Sequence, residues 1–79
     1  MSTRSEEIRR ILDHEDEEFR RWSQQHHEFE ERLAQLATKP TLTPEEEVEE
    51  KQLKKRKLFL KDQMAARIRS YEESQSAHA

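Results

Sequence analysis

Positions suited to a helix–helix contact recur along this chain every three or four residues, with one interruption. The first run contains Ile8, Leu12, Glu15, Phe19, Trp22, His26, Phe29, Leu33 and Leu36. The second run contains Leu53, Lys57, Leu60, Met64, Arg67 and Tyr71. Alternating steps of three and four are typical of helices that pack along a narrow seam. The pattern therefore predicts two long helices whose seam residues face each other.

The interruption between the two runs carries the signals of a turn followed by a helix start. Pro40 disfavours helix at Lys39. Thr43 is suited to cap the second helix, Pro44 to occupy its first position, and Glu46 to complete a capping box. We expect one domain over residues 1–79, with a helix over about 4–37, a turn over 38–43, a helix over about 44–73 and a frayed tail over 74–79.

The fold class that follows is all-α, an antiparallel two-helix coiled-coil hairpin. Two helices bury little surface, and chains of this size usually gain stability from disulfides, metal or association. The chain of 79 residues contains no cysteine. We therefore expect the hairpin to assemble into a larger helical bundle, as a homo-oligomer.

Mirror counting around the turn sets the expected register of the hairpin. Residues that face each other should have numbers that sum to about 82–83. Phe19 then faces Met64, while Glu15 faces Arg67. A polar pair within an apolar seam fixes register at a cost in stability. We expect Glu15 and Arg67 to form such a pair.

The composition excludes several classes of function. Charged residues make up 42% of the chain and apolar residues 30%, with no glycine and no cysteine. Phosphate-binding glycine loops, nucleophile elbows and thiolate sites therefore cannot be built. A hairpin also lacks the dry pocket that shifts carboxylate pKa values for acid–base catalysis. We expect a protein that is not an enzyme and that carries no cofactor.

Metal binding and membrane insertion have little support. Three His–Glu pairs have the spacing of one helical turn, His14 with Glu18, His26 with Glu30 and His27 with Glu31. Each pair lacks a third ligand nearby in the sequence, so we expect no metal site. No apolar run is long enough to cross a membrane, and no secretory signal is visible. We expect a cytoplasmic protein without a transmembrane segment.

Apolar residues outside the seam suggest what the protein does. Val48, Leu58 and Phe59 lie on the second helix away from the seam positions. A cluster of such side chains on a charged helix indicates an interface. We therefore expect a self-associating protein–protein interaction or structural module, whose further protein partner, if there is one, is not identified by the sequence.

A basic stripe on the second helix supports an alternative function. It consists of Lys54, Lys55, Arg56 and Lys61. Such a stripe is suited to contact the phosphates of a nucleic acid or a ribosome. However, the first helix is acidic and the whole chain has a formal net charge of −3. We expect binding to nucleic acid to be at most weak and sensitive to salt.

Three segments resemble a known family. They are His14-Glu-Asp-Glu-Glu-Phe19, Gln25-His-His-Glu-Phe-Glu-Glu-Arg-Leu33 and Leu53-Lys-Lys-Arg-Lys-Leu-Phe-Leu-Lys-Asp62. Together they resemble the YdcH-like family of small bacterial proteins over roughly residues 8–70, with Phe29-Glu30 standing where members usually carry Leu-Asp. The resemblance implies a helical hairpin in a bacterial cytoplasm. It implies no biochemical activity and no catalytic residue.

Overall fold

The computed structural model describes residues 3–76 and consists there of three α-helices. They are α1 (Thr3–Glu15), α2 (Glu17–Ala37) and α3 (Pro44–Ser76). The predicted all-α class is confirmed, and no strand occurs in residues 3–76. The molecule measures 54 × 23 × 17 Å. Because a helix rises about 1.5 Å per residue, α3 with its 33 residues accounts for most of the long dimension.

The turn and the start of α3 lie where the sequence places them. Glu46 N donates to Thr43 Oγ1 at 3.1 Å, and Thr43 N donates to Glu46 Oε1 at 3.0 Å. This reciprocal pair is the predicted capping box, and it satisfies backbone donors that a helix start leaves free. Lys39 Nζ also donates to Glu46, and together with Thr43 it lowers the pKa of the Glu46 carboxyl. At the other end α3 continues to Ser76, past the predicted end near residue 73, and residues 77–79 lie outside the described residues.

The prediction of one continuous first helix is wrong, because Asp16 interrupts it. Asp16 has an extended backbone, with φ −109° and ψ 108°, between the end of α1 and the start of α2. Its Oδ1 accepts a hydrogen bond from Phe19 N at 3.0 Å. An aspartate in this position caps a new helix, and Glu17 and Glu18 then lie at the positive end of the α2 dipole. Residues 3–76 therefore form three helices where the seam pattern predicts two.

The bend at Asp16 folds α1 back against the other two helices. Ser23 Oγ donates to Asp13 Oδ1 at 2.8 Å, although the two residues are ten apart in sequence. In a straight helix, ten residues would span about 15 Å. At the other end of α1, Arg4 Nε lies 3.7 Å from Glu72 Oε2 on α3. Helix α1 therefore contacts both α2 and α3.

The main apolar cluster lies where the three helices meet. Its buried members are Ile8, Leu12, Phe19, Met64 and Ile68, and Trp22 and Tyr71 pack against them. Phe19 is 0% exposed and lies at a tilt to Trp22, with ring centroids 6.4 Å apart. Ile68 is absent from the predicted seam, and its burial follows from the return of α1 across α3. Leu36, Leu53 and Leu60 are also buried, along α2 and α3.

Contacts at both ends of α2 show that α2 and α3 run antiparallel. Near the start of α2, Asp16 and Glu18 bind Arg67 late in α3. Near the end of α2, Arg32 binds Glu49 early in α3 through two hydrogen bonds, of 2.8 and 2.9 Å. Each partner of the latter pair stabilises the charged form of the other, so the pKa of Arg32 is raised and that of Glu49 is lowered.

Candidate interaction surface

The three predicted interface residues are exposed, but each lines a different groove. Val48, Leu58 and Phe59 are 55%, 60% and 62% exposed. Phe59 lies beside Trp22, whereas Leu58 lies beside Arg9 of α1 and Val48 lies among lysines near the start of α3. Adjacent residues of a helix point about 100° apart, so Leu58 and Phe59 point to different sides of α3, whereas Val48 points to nearly the same side as Phe59. All three side chains are exposed, as an interface requires, and their membership of one interface stays a prediction.

The groove beside Phe59 is the most aromatic of these surfaces. It has a volume of about 300 Å³ and is lined by Trp22, Gln25, Phe29, Arg56, Phe59 and Leu60. Leu60 is buried at its base, Trp22 and Phe29 are half-buried, and Phe59 is largely in solvent. An exposed aromatic ring and an apolar groove thus lie side by side on one face, which we call the Phe59 face.

Arg67 holds one wall of the Phe59 face in place. Its guanidinium carbon lies 4.9 Å from the centroid of the Trp22 ring, within the range of a cation–π contact. Arg67 Nη2 donates to Glu18 Oε1 at 2.7 Å, and Nη1 donates to Asp16 Oδ2. These two carboxylates, Glu18 first, raise the pKa of Arg67. Arg67 therefore keeps its positive charge, and the carboxylates bound to its two terminal nitrogens hold the guanidinium group against the Trp22 ring.

The predicted seam pair of Glu15 and Arg67 is wrong. Glu15 ends α1 and is exposed, and Arg67 binds Asp16 and Glu18 instead. The bend explains the difference, because the extended residue at position 16 changes the direction in which the preceding turn of helix points. The pKa of Asp16 is lowered, first by the hydrogen bond from Phe19 N and then by Arg67.

The basic stripe does not form one continuous surface. Its four residues are all exposed, but Arg56 lines the Phe59 groove, Lys54 and Lys55 lie near Val48, and Lys61 lies near Leu58. Among the described residues, Lys54 is the one member with an ion pair, to Glu50 at 3.9 Å. On α2, Glu30 instead pairs with a cation outside the stripe, Lys57, whose Nζ lies 3.8 Å from Glu30.

His26 is a half-buried titratable group beneath these charges. Its Nδ1 lies 3.6 Å from Glu30 Oε1, and its Nε2 is buried without a hydrogen-bond partner among the described residues. Burial lowers the pKa of His26; the positive charges of Lys57, Lys61 and Arg9 act in the same direction and Glu30 opposes them. The neutral imidazole is therefore the form that suits the folded chain.

We expect the folded protein to lose stability on mild acidification because of His26. Below pH 6.5, the ordinary pKa of histidine, the unfolded chain binds a proton at residue 26 more readily than the folded chain does. The free energy of unfolding therefore falls as the pH drops from 6.5 through the lowered pKa of the folded state. His26→Gln should flatten this dependence, measured by urea denaturation at about pH 7.5 and about pH 5.5.

His27→Gln provides the matched control for this measurement. His27 has the same i,i+4 partner arrangement, with Nε2 3.6 Å from Glu31, but its side chain is 72% exposed. The His27→Gln chain should keep the acid sensitivity of the wild type. If the two substitutions flatten the dependence equally, His26 is not its source.

The described residues hold no cluster suited to a metal ion and no membrane-spanning helix. The bend at Asp16 puts His14 and Glu18 on different helices, so that pair loses its helical spacing. Within residues 3–76, no group of three or more histidine and carboxylate side chains lies close enough to share a metal ion. No helix of that part of the chain is long and apolar enough to cross a membrane.

These observations define a small all-helical protein whose most distinctive surface is an aromatic groove. Residues 19–74 match the family described as a protein of unknown function (DUF465), which is the YdcH-like family of small proteins. The match covers more than half of the chain, and the chain belongs to this family. No curated protein and no solved structure matches the chain. The family match begins within α2, so α1 lies outside it.

Proposed function

We propose that the protein is a non-enzymatic interaction module that self-associates through the Phe59 face and acts as a structural or protein-binding unit. In this proposal the antiparallel pair of α2 and α3 is a coiled-coil hairpin, and copies of it form a larger helical bundle. The observation that carries the proposal is the exposed Phe59 ring next to a groove walled by Trp22 and Phe29.

The shape of the Phe59 face supports a second copy as the partner. Two identical chains usually associate about a twofold axis, which requires a surface that is complementary to itself. The Phe59 face offers both a projecting ring and a groove for such a ring. Two copies would bury two phenylalanine rings, and full burial of each contributes roughly 1.5–3 kcal/mol. The Trp22 and Phe29 rings, half-buried in one chain, would gain further burial.

The charges around the Phe59 face are compatible with this pairing. Arg56 borders the groove on α3, while Glu17 and Glu28 are exposed on α2. None of these three side chains forms an ion pair within residues 3–76. In a twofold arrangement, the cations of α3 in one copy approach the acids of α2 in the other. Such pairs orient the partners and exclude wrong ones, although exposed pairs add little affinity.

We expect the wild-type chain to have a mass in solution that is a multiple of 9.6 kDa, and the Phe59→Glu chain to have a lower mass at the same concentration. Glutamate at position 59 removes the apolar ring and adds a charge that would have to be desolvated in the groove of the other copy. Light scattering over a micromolar concentration series measures both masses. Circular dichroism on the same samples shows that the helices are retained.

Leu58→Glu is the matched control for this experiment. Leu58 is exposed to a similar extent and is adjacent in sequence, but it lines a different groove. The Leu58→Glu chain should associate as the wild type does. A wild-type monomer at all concentrations, or equal association of the Phe59→Glu chain, would contradict the proposal.

Binding to a nucleic acid or a ribosome is the second candidate function. It is favoured by the exposure of Lys55, Arg56 and Lys61, which form no ion pair among the described residues. It is disfavoured by their distribution over different grooves and by the net charge of −3. Titration of the same protein samples with fluorescent RNA and DNA at physiological salt distinguishes the two functions. Tight binding that weakens steeply with salt and is lost on joint substitution of Lys54, Lys55 and Arg56 by alanine would favour the nucleic acid.

A further inference from the structure

Helix α1 is attached to the rest of the molecule through one non-helical residue. Its apolar side chains Ile8 and Leu12 complete the buried cluster that α2 and α3 form with Phe19, Met64 and Ile68. Two polar contacts add to this docking, Asp13 with Ser23 and Arg4 with Glu72. The contact surface is thus a small apolar site with polar contacts at its edge, and α1 is its occupant.

The bend at Asp16 is held by both oxygens of one carboxylate. Oδ1 accepts the hydrogen bond from Phe19 N, and Oδ2 accepts from Arg67. The helical hydrogen bonds on either side persist, since Asp16 N donates to Leu12 O at 2.8 Å and Arg20 N donates to Asp16 O at 3.0 Å. A straight helix therefore requires mainly a change of ψ at Asp16, from 108° to about −42°.

The sequence is compatible with the straight form. The seam spacing continues through position 16 without a break, from Leu12 to Phe19. In a straight form, however, α1 no longer reaches the cluster of its own chain in the same way. Asp13 and Ser23 move to about 15 Å apart, and Ile68 loses the cover that α1 provides. A second copy of α1, docked in the same place, restores each of these contacts.

We propose that the chain forms a domain-swapped dimer in which α1 and α2 are one continuous helix and each α1 occupies the apolar site of the other copy. Exchange of an identical element keeps the contacts of the monomer and changes the hinge alone. The Asp16 carboxylate selects between the two forms, because it stabilises the bend. This exchange does not involve Phe59, so it is independent of the function proposed above.

A cysteine pair at positions 13 and 23 distinguishes the two forms. The native chain has no cysteine, so Asp13→Cys with Ser23→Cys introduces the sole thiols, at side chains whose oxygens lie 2.8 Å apart. In the bent monomer the disulfide forms within one chain. In the swapped dimer it forms between two chains, and non-reducing electrophoresis separates the products. A glutathione redox buffer during oxidation retains the links between cysteines that lie close together.

We expect the interchain product to increase with the protein concentration at which the cysteine-pair chain is refolded. With Asp16→Ala added, the concentration that gives half interchain product should be at least about tenfold lower, because the substitution removes the cap and the partner of Arg67 from both chains of each dimer. Asp16→Asn keeps an oxygen for Phe19 N and should give an intermediate value. Circular dichroism verifies that each variant is helical, and the concentration series of the Asp16 chain tests the proposal even if Asp16→Ala fails to fold.

Two results would overturn the proposal. One is an intrachain link alone, at every concentration and with Asp, Asn or Ala at position 16. The other is the absence of any link in a helical chain, which would mean that α1 straightens without docking on a second copy. Ser23→Cys alone measures the background of non-specific linkage. Phe59→Glu in the cysteine-pair chain should leave the interchain product unchanged, so the failure of either proposal is recognised separately.

Discussion

Phe19→Ala is expected to lower the free energy of unfolding by about 3–5 kcal/mol, the usual cost of removing a buried phenylalanine ring. Phe19 is 0% exposed and lies where all three helices meet. Its removal leaves a cavity that α1, α2 and α3 all border. Because a single core in a domain below about 80 residues rarely supplies more than about 3–5 kcal/mol, the Phe19→Ala chain should be close to unfolded at room temperature.

Urea denaturation followed by circular dichroism measures this effect, with Leu58→Ala as the control. Leu58 is 60% exposed, so its truncation should change the free energy of unfolding by no more than about 0.5 kcal/mol. Both chains should be measured at the same low concentration, because association also stabilises the folded state. Similar effects of the two substitutions would show that the three-helix cluster is not the main source of stability.

Asp16→Asn and Arg67→Met are expected to be non-additive in a double-mutant cycle, with a coupling of about 1 kcal/mol. Arg67 Nη1 donates to the Asp16 carboxylate, and both side chains are partly shielded from solvent. Asparagine retains an oxygen for the cap, and methionine retains an apolar stem beside Trp22. The cycle therefore isolates the charged contact between α3 and the bend. Partial exposure to water keeps the expected value modest.

Glu15→Gln provides the matched control for this cycle. Glu15 precedes Asp16 directly and is exposed at the end of α1. Its effect and that of Arg67→Met should add within about 0.3–0.5 kcal/mol. Coupling of Arg67 to Glu15 rather than to Asp16 would mean that the first two helices form one straight helix in solution, as the heptad pattern alone predicts.

The Phe59 face shows how much of an interface a linear pattern can reveal. The spacing alone places three apolar residues of α3 outside the seam, and all three are exposed: Val48, Leu58 and Phe59. Spacing does not show what lies beside each of them. Trp22 and Phe29, which are counted as seam residues in the sequence, also form the wall of the groove that Phe59 borders. The groove forms where α2 packs against α3, and this packing leaves the Trp22 and Phe29 rings half-buried.

Local sequence determined the helices, the turn and the start of α3. Thr43, Pro44 and Glu46 act within four residues of one another, so the capping box needs no contact from elsewhere in the chain. Asp16 carries a similar local signal, an aspartate followed by two glutamates, but the unbroken seam spacing around it favours a continuous helix equally well. Two local preferences of comparable strength compete at that position.

The tertiary structure decided between them. The extended conformation of Asp16 gains a hydrogen bond from Arg67, which is 51 residues away in sequence, and it lets Ile8 and Leu12 cover Ile68. Neither interaction exists until α3 packs against α2, because both depend on side chains that folding brings together. Once they are in place, the burial of apolar side chains outweighs the loss of one regular turn of helix. The number of helices, the partner of Arg67 and the shape of the Phe59 face all follow from that contact.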